Sequence, residues 1–277
     1  MADWDKILAR GDVEDRRAAG PLLVGGGGLG VVGVVIALIM SFAGGNPQDL
    51  NNVLNQLQQS QGQPSTAQQS KFAGADSYET FAGAVLGSTN EVWNGIFSQS
   101  GKTYDEPKLV LFRSTTNSAC GGATSQVGPH YCPADETIYL DETFFDELTN
   151  RLGAQGGDVA EAYVLAHEVG HHVQHELGTM DQVQGGEGAN SDAVRLELQA
   201  DCFAGIWAHS VAQLGIFEQG EIHEAIDAAE AVGDDRIQQK VQGQVNPESW
   251  THGSSEQRAS WFNRGFETGR PSDCNTF

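Results

Sequence analysis

The sequence predicts an α+β fold, mostly helical with a small β-sheet, preceded by one transmembrane helix. Three observations carry this expectation. An apolar run without a charged residue fills positions 21–44. Apolar residues recur at helical spacing in several later stretches, and two short runs, Lys108 to Arg113 and Thr137 to Asp141, have the composition of strands.

The chain has 277 residues, enough for one sizeable domain with appendages and a hydrophobic core of its own. Its net charge is -22, with only 15 basic residues to neutralise phosphates, which excludes nucleic acid as a partner. Residues 1–20 mix Lys6, Arg10, Arg16 and Arg17 with five acidic residues and read as a short cytoplasmic tail too polar to bury much. The run at 21–44 is long enough to cross about 30 Å of hydrocarbon. Its glycines, Gly25 to Gly28, Gly30 and Gly33, suit helix pairing in a membrane, and no Gly-Lys-Ser/Thr follows to make them a phosphate loop.

Arg16 and Arg17 precede the run, whereas the first basic residue after it is Lys71. The positive-inside rule then puts the N-terminus in the cytoplasm and the bulk of the chain outside, as a single-pass protein of the cytoplasmic membrane. Ser41-Phe42-Ala43 has the form of a signal-peptidase site, but the polar segment before the run is long for a signal peptide, which favours an uncleaved anchor. Residues 45–75, rich in Gln, Ser, Gly and Pro, cannot bury enough apolar surface to order themselves and read as a flexible linker.

The folded domain is expected at 76–277. Tyr78, Phe81, Val85, Val92, Trp93 and Ile96 predict a helix over 76–100, closed by Gly101. Of the three pairings that four cysteines allow, Cys120 with Cys132 and Cys202 with Cys274 is preferred: the first closes a local loop and the second pins the C-terminal tail. An extracytoplasmic domain would oxidise them.

The chemistry centres on His167-Glu168-Val169-Gly170-His171. Ala162, Leu165, Ala166 and Val169 give this stretch the pattern of a buried helix, and Gly170 permits another element to approach closely. Positions four apart share a helix face, so His167 and His171 can aim imidazole nitrogens at one metal ion with Glu168 beside it, the layout of a zinc hydrolase. A catalytic zinc takes three protein ligands. Glu197, on a second helix marked by Leu196, Ala200, Phe203 and Trp207, is the candidate third ligand, and Asp201, four residues on, could fix the tautomer of a ligand histidine. His172 and His175 read as structural.

HExxH followed by a Glu-x-x-x-Asp helix is similar to the arrangement in gluzincins. The chain more specifically resembles the bacterial family of membrane-anchored neutral zinc metallopeptidases. The resemblance is carried by Val13 to Arg17, Gly128 to Pro133, His167 to Gln174, Glu197 to Gly205, Gly233 to Gln238 and Thr251 to Ser255. It implies a zincin-like fold, a Zn2+ cofactor and hydrolysis of peptide bonds in a protein or peptide substrate. In that reading Glu168 is the general base, and the oxyanion partner comes from His252, Tyr163, Tyr131 and His130, with His252 preferred for its turn-forming Thr-His-Gly-Ser-Ser setting. The strand at 137–141 would offer its edge to an extended peptide. A zinc-containing binding or scaffolding protein at the cell envelope is the alternative reading. Hydrolysis of a non-peptide bond at the same site is a third.

Overall fold

The computed structural model describes residues 1–17, 76–125 and 127–277. The expected membrane span at 21–44 and the linker at 45–75 lie outside them, and among the described residues no helix is long and apolar enough to cross a membrane. The described chain is mostly helical with a small mixed sheet, as predicted.

Strand β1 (Val13–Asp15) is followed by helix α1 (Ser77–Gln99), whose first turn is capped by the Asp76 carboxylate accepting from the Glu79 amide. Then come β2 (Lys108–Leu111), the hairpin of β3 (Thr115–Ser118) and β4 (Gly121–Thr124), β5 (His130–Cys132) and β6 (Thr137–Leu140). Six helices complete the domain: α2 (Phe144–Asn150), α3 (Asp158–Glu176), α4 (Asp192–Gln213), α5 (Ile222–Ala231), α6 (Asp234–Gln242) and α7 (Ser255–Thr268). Ser254 caps α7, and with Gln257 it forms a reciprocal capping box.

The main sheet runs β1-β2-β6-β5, parallel across β1, β2 and β6 and antiparallel at β5. One large core joins α1, the inner face of this sheet and α3, α4 and α5, with Trp93, Tyr163, Trp207 and Phe262 among its fully buried side chains. Both disulfides pair as the spacing predicts, Cys120 with Cys132 and Cys202 with Cys274. The first ties the hairpin turn to β5, and the second fastens the C-terminal tail to α4.

The largest departure from the sequence-based expectation is the N-terminal segment. Residues 1–17 are not a separate polar tail. Val13 to Asp15 supply the outer parallel strand of the sheet, registered on Leu109 to Leu111. Trp4 stacks on Trp207 at 6.4 Å and donates its indole N–H to Asp158 at 2.7 Å. The Arg17 side chain is fully buried and reaches Asp15, Asp76 and Glu142 at 2.8, 3.0 and 2.8 Å. The segment looks too polar only because the partners of its charges lie far along the chain.

The Arg17 hydrogen bond holds the Asp15 carboxyl below its ordinary value. At Asp76 burial opposes the charge, but Arg17 outweighs it and the net direction is the same. Both contributions are therefore complete above pH 3.8 and fade as the pH falls through the lower folded values. Arg17→Met, which strands three partly buried carboxylates, is expected to cost about 3–5 kcal/mol in denaturant unfolding of the full chain at neutral pH. That deficit should shrink in acid. A deficit independent of pH would show that the ion pairs are not its source.

Candidate metal centre

Helices α3 and α4 meet at Gly170, where a Cβ would lie 2.9 Å from the Ala200 carbonyl oxygen and 3.0 Å from its Cα. Only a residue without a side chain allows this approach, and it brings the ligand face of α3 against that of α4. The Nε2 atom of His167 stands 3.2 Å from one Glu197 oxygen, and that of His171 stands 3.4 Å from the other. The three donor groups all lie within 4.8 Å of one another. Two imidazoles and a carboxylate converging in this way form a donor set that suits zinc and leaves a position for water or substrate. The residues present thus fit the metal that the motif implies.

Electrostatics support a cation here. Burial disfavours charge on His167, but Asp201, by its field and its hydrogen bond, outweighs this with help from Glu197 and pulls the imidazole up to about 9. Burial likewise opposes ionisation of Glu197, yet the two imidazoles hold it well below its usual range. Glu197 is therefore held charged between the two imidazoles.

Asp201 is fully buried and occupies the place behind His167 that the sequence predicts for it. It accepts from His167 Nδ1 at 2.8 Å, an arrangement that in the neutral ring puts the lone pair on Nε2, toward the site. It also accepts from the Tyr163 hydroxyl at 2.6 Å and from the Arg258 guanidinium at 2.8 and 3.0 Å. Arg258 comes from α7, which crosses α4 with Gly205 and Gly265 in contact; a Cβ on either would run into backbone of the other helix. Sequence reasoning missed Arg258, because nothing in its own neighbourhood points to α4.

Glu168 is buried and lines, with the three ligand residues, a cleft of about 510 Å³. His252 lines the same cleft. Its ring meets Asp234 Oδ1 at 3.3 Å, while Asp234 Oδ2 gathers the amides of Thr251, His252 and Gly253 at 2.8, 2.7 and 3.0 Å. Desolvation opposes charge on His252, but the Asp234 hydrogen bond and the Glu197 field raise its pKa on balance. In the sequence Asp234 stands out only as part of a motif, and its role depends on a turn folding back onto the start of α6.

The other oxyanion candidates are already engaged. The Tyr163 hydroxyl donates to Asp201. The Tyr131 hydroxyl meets His172 Nδ1 at 3.0 Å, and the other ring nitrogen of His172 meets the Asp105 carbonyl at 2.6 Å. Burial pushes His172 down to about 4, so it is a neutral structural residue as expected. His130 stacks on Tyr139 and contacts the Gly128 carbonyl. His175 lies 3.9 Å from Glu136.

One expectation needs correction. The strand at 137–141 cannot offer an edge, because β6 is paired on both sides, with β2 and with β5. The outer strand is β5, and Gly128 to Tyr131 line the cleft.

An α+β domain with an HExxH helix, a carboxylate ligand on the next helix and an oriented histidine across the cleft has the construction of a zinc metallopeptidase. The chain belongs to the family described as "Putative neutral zinc metallopeptidase", whose sequence profile matches residues 2–277. It is 44% identical to "Uncharacterized protein YpfJ" of Escherichia coli K12 over 288 aligned positions, covering 99% of this chain and 98% of that one. It is also 45% identical to "Uncharacterized protein Mb2605" of Mycobacterium bovis over 205 positions, 70% of this chain and 69% of that one. The relative "Uncharacterized protein Rv2575" of Mycobacterium tuberculosis matches to the same extent. No solved structure is a significant match.

The full chain is expected to bind about one zinc ion, and Glu197→Ala or His167→Ala to lose it. Asp201→Asn, which keeps all three ligands, should weaken zinc binding by about 10–100-fold in chelator competition. Retention of full affinity by Glu197→Ala would remove that residue from the ligand set.

Proposed function

We infer that the protein is a zinc-dependent peptidase that hydrolyses peptide bonds of proteins or peptides outside the cytoplasm. The observation that carries this reading is the convergence of His167, His171 and Glu197 beside the Glu168 carboxylate in an open cleft. A bound zinc ion supplies Lewis acidity, polarising the scissile carbonyl and lowering the pKa of a water. Glu168 takes the proton of the attacking water and later hands it to the leaving amine. His252, held by Asp234, donates from its free ring nitrogen to the oxygen on which charge develops. Asp201, itself held by Arg258, accepts from His167 Nδ1 and so favours the neutral tautomer with its lone pair on Nε2. An extended substrate adds to the sheet along β5, which is the strand with an open side next to the cleft.

The two disulfides favour an oxidising compartment, and the apolar run at 21–44 favours attachment to a membrane. The pairing of β1 with β2 supports a reading in which the N-terminal segment and the catalytic domain share one side.

Glu168→Gln is expected to abolish cleavage of a peptide library while zinc stays bound; full activity in that variant would end the assigned role. His252→Ala should lower kcat by about 100- to 1,000-fold with little change in KM, as removal of one oxyanion donor does. A parent chain that binds zinc and cleaves no peptide would instead favour the scaffolding reading. Sidedness can be read with a membrane-impermeant thiol reagent on intact cells carrying Leu8→Cys or Val241→Cys, both at exposed positions. The two cysteines should behave alike, and labelling of only one would contradict the shared side.

A further inference from the structure

His167 has a buried carboxylate behind it, whereas His171 has a chain of amides. Its Nδ1 lies 2.9 Å from Gln174 Oε1. The Gln174 amide nitrogen donates to the Leu196 carbonyl at 2.7 Å and to Gln199 Oε1 at 3.1 Å. The Gln199 nitrogen donates in turn to the Cys274 carbonyl at 3.0 Å. Gln174 is fully buried and Gln199 nearly so.

The direction of this chain is dictated by its backbone ends. The carbonyls of Leu196 and Cys274 can only accept, so the amide groups facing them must be nitrogen. The Gln174 oxygen then faces His171 and can only accept, and Nδ1 must carry the proton. In the neutral ring Nε2, which looks toward Glu197, is then left with its lone pair. The disulfide from Cys202 to Cys274 keeps the outermost carbonyl in place.

We propose that Gln174 is the positioning residue for the ligand His171, fixing its tautomer and ring orientation, with Gln199 and the disulfide-anchored C-terminal tail holding Gln174 from behind. The proposal rests on His171 being a zinc ligand and goes beyond that assignment by naming what prepares it before any metal arrives. The simpler role for Gln174 is a staple between α3 and α4 through Leu196. The two roles use opposite ends of one amide: stapling uses the nitrogen, positioning uses the oxygen.

That division sets the experiment. In Gln174→Met both ends are lost. In Gln174→Glu an acceptor still faces Nδ1 while the paired donors are gone. Zinc affinity of the full chain, by chelator competition, is expected to fall about 10–100-fold in Gln174→Met and to stay near the parent value in Gln174→Glu. Thermal unfolding of the metal-free proteins reports the staple separately, and both variants should lose stability there. Equal affinity loss in both variants, or none in either, would overturn the positioning role. Long-range nitrogen–proton correlation NMR on the isotope-labelled, metal-free parent chain at mildly alkaline pH needs no variant. It should show His171 protonated at Nδ1, and a ring protonated at Nε2 would overturn the proposal. A parent chain that binds no zinc would defeat the metal-centre reading, while the NMR result would still decide the tautomer.

Discussion

The centre exists because two helices come closer together than side chains normally permit. At Gly170 the backbone of α3 lies against the backbone of α4 at Ala200; His167 and Glu197, each three residues before the contact on its own helix, and His171, next to Gly170, are thereby brought close to one another. Neither helix carries a complete ligand set. The same device recurs one layer further out, where Gly205 and Gly265 let α7 press onto α4 and deliver Arg258 to Asp201. Spacing of the helices, more than the identity of any single donor, turns an HExxH segment into a site.

Charge is arranged to match. Glu197 is half-buried and Asp201 fully buried, and both are held ionised, against the cost of desolvation, by groups of opposite sign or by hydrogen bonds. Arg258 meets part of that demand at Asp201, and its Nη2 also lies 3.4 Å from His167 Nε2 and 3.8 Å from a Glu197 oxygen. The front of the site, facing the cleft, keeps a carboxylate and two imidazole nitrogens free of any backbone partner. Asp234 holds the His252 ring in the lining of the same cleft.

What the sequence revealed was whatever resides on one helix or within one short motif. The histidines of α3 and the Glu197–Asp201 pair on α4 share faces by simple periodicity, so their roles follow from helical spacing alone. The cysteine pairs were readable from spacing and from the use of a tail. Roles that depend on two distant elements were not readable. Arg258 has no local sign that it faces Asp201, and Gln174 looks like an ordinary polar residue at the end of a histidine-rich helix. The apolar strand at 137–141 suggests a substrate edge, but apolarity on both faces marks a central strand, and β5 at the rim is shorter and more polar. Residues 1–17 resemble a tail by their charges alone, because Asp76 and Glu142, which pair with Arg17, lie far along the chain, beyond the apolar run at 21–44.

If helix spacing is the controlling constraint, it can be tested without touching any ligand. Gly170→Ala adds one methyl group where there is no room for it, an overpacking that ordinarily costs about 1–3 kcal/mol. The decisive quantity is the zinc dissociation constant of the full-length Gly170→Ala chain, measured beside the parent by chelator competition. The spacing constraint predicts binding weaker by about tenfold or more in a chain that still folds, since each 1.4 kcal/mol is a factor of ten. Unchanged affinity in that variant would contradict it and show that the ligands find one another by some other means.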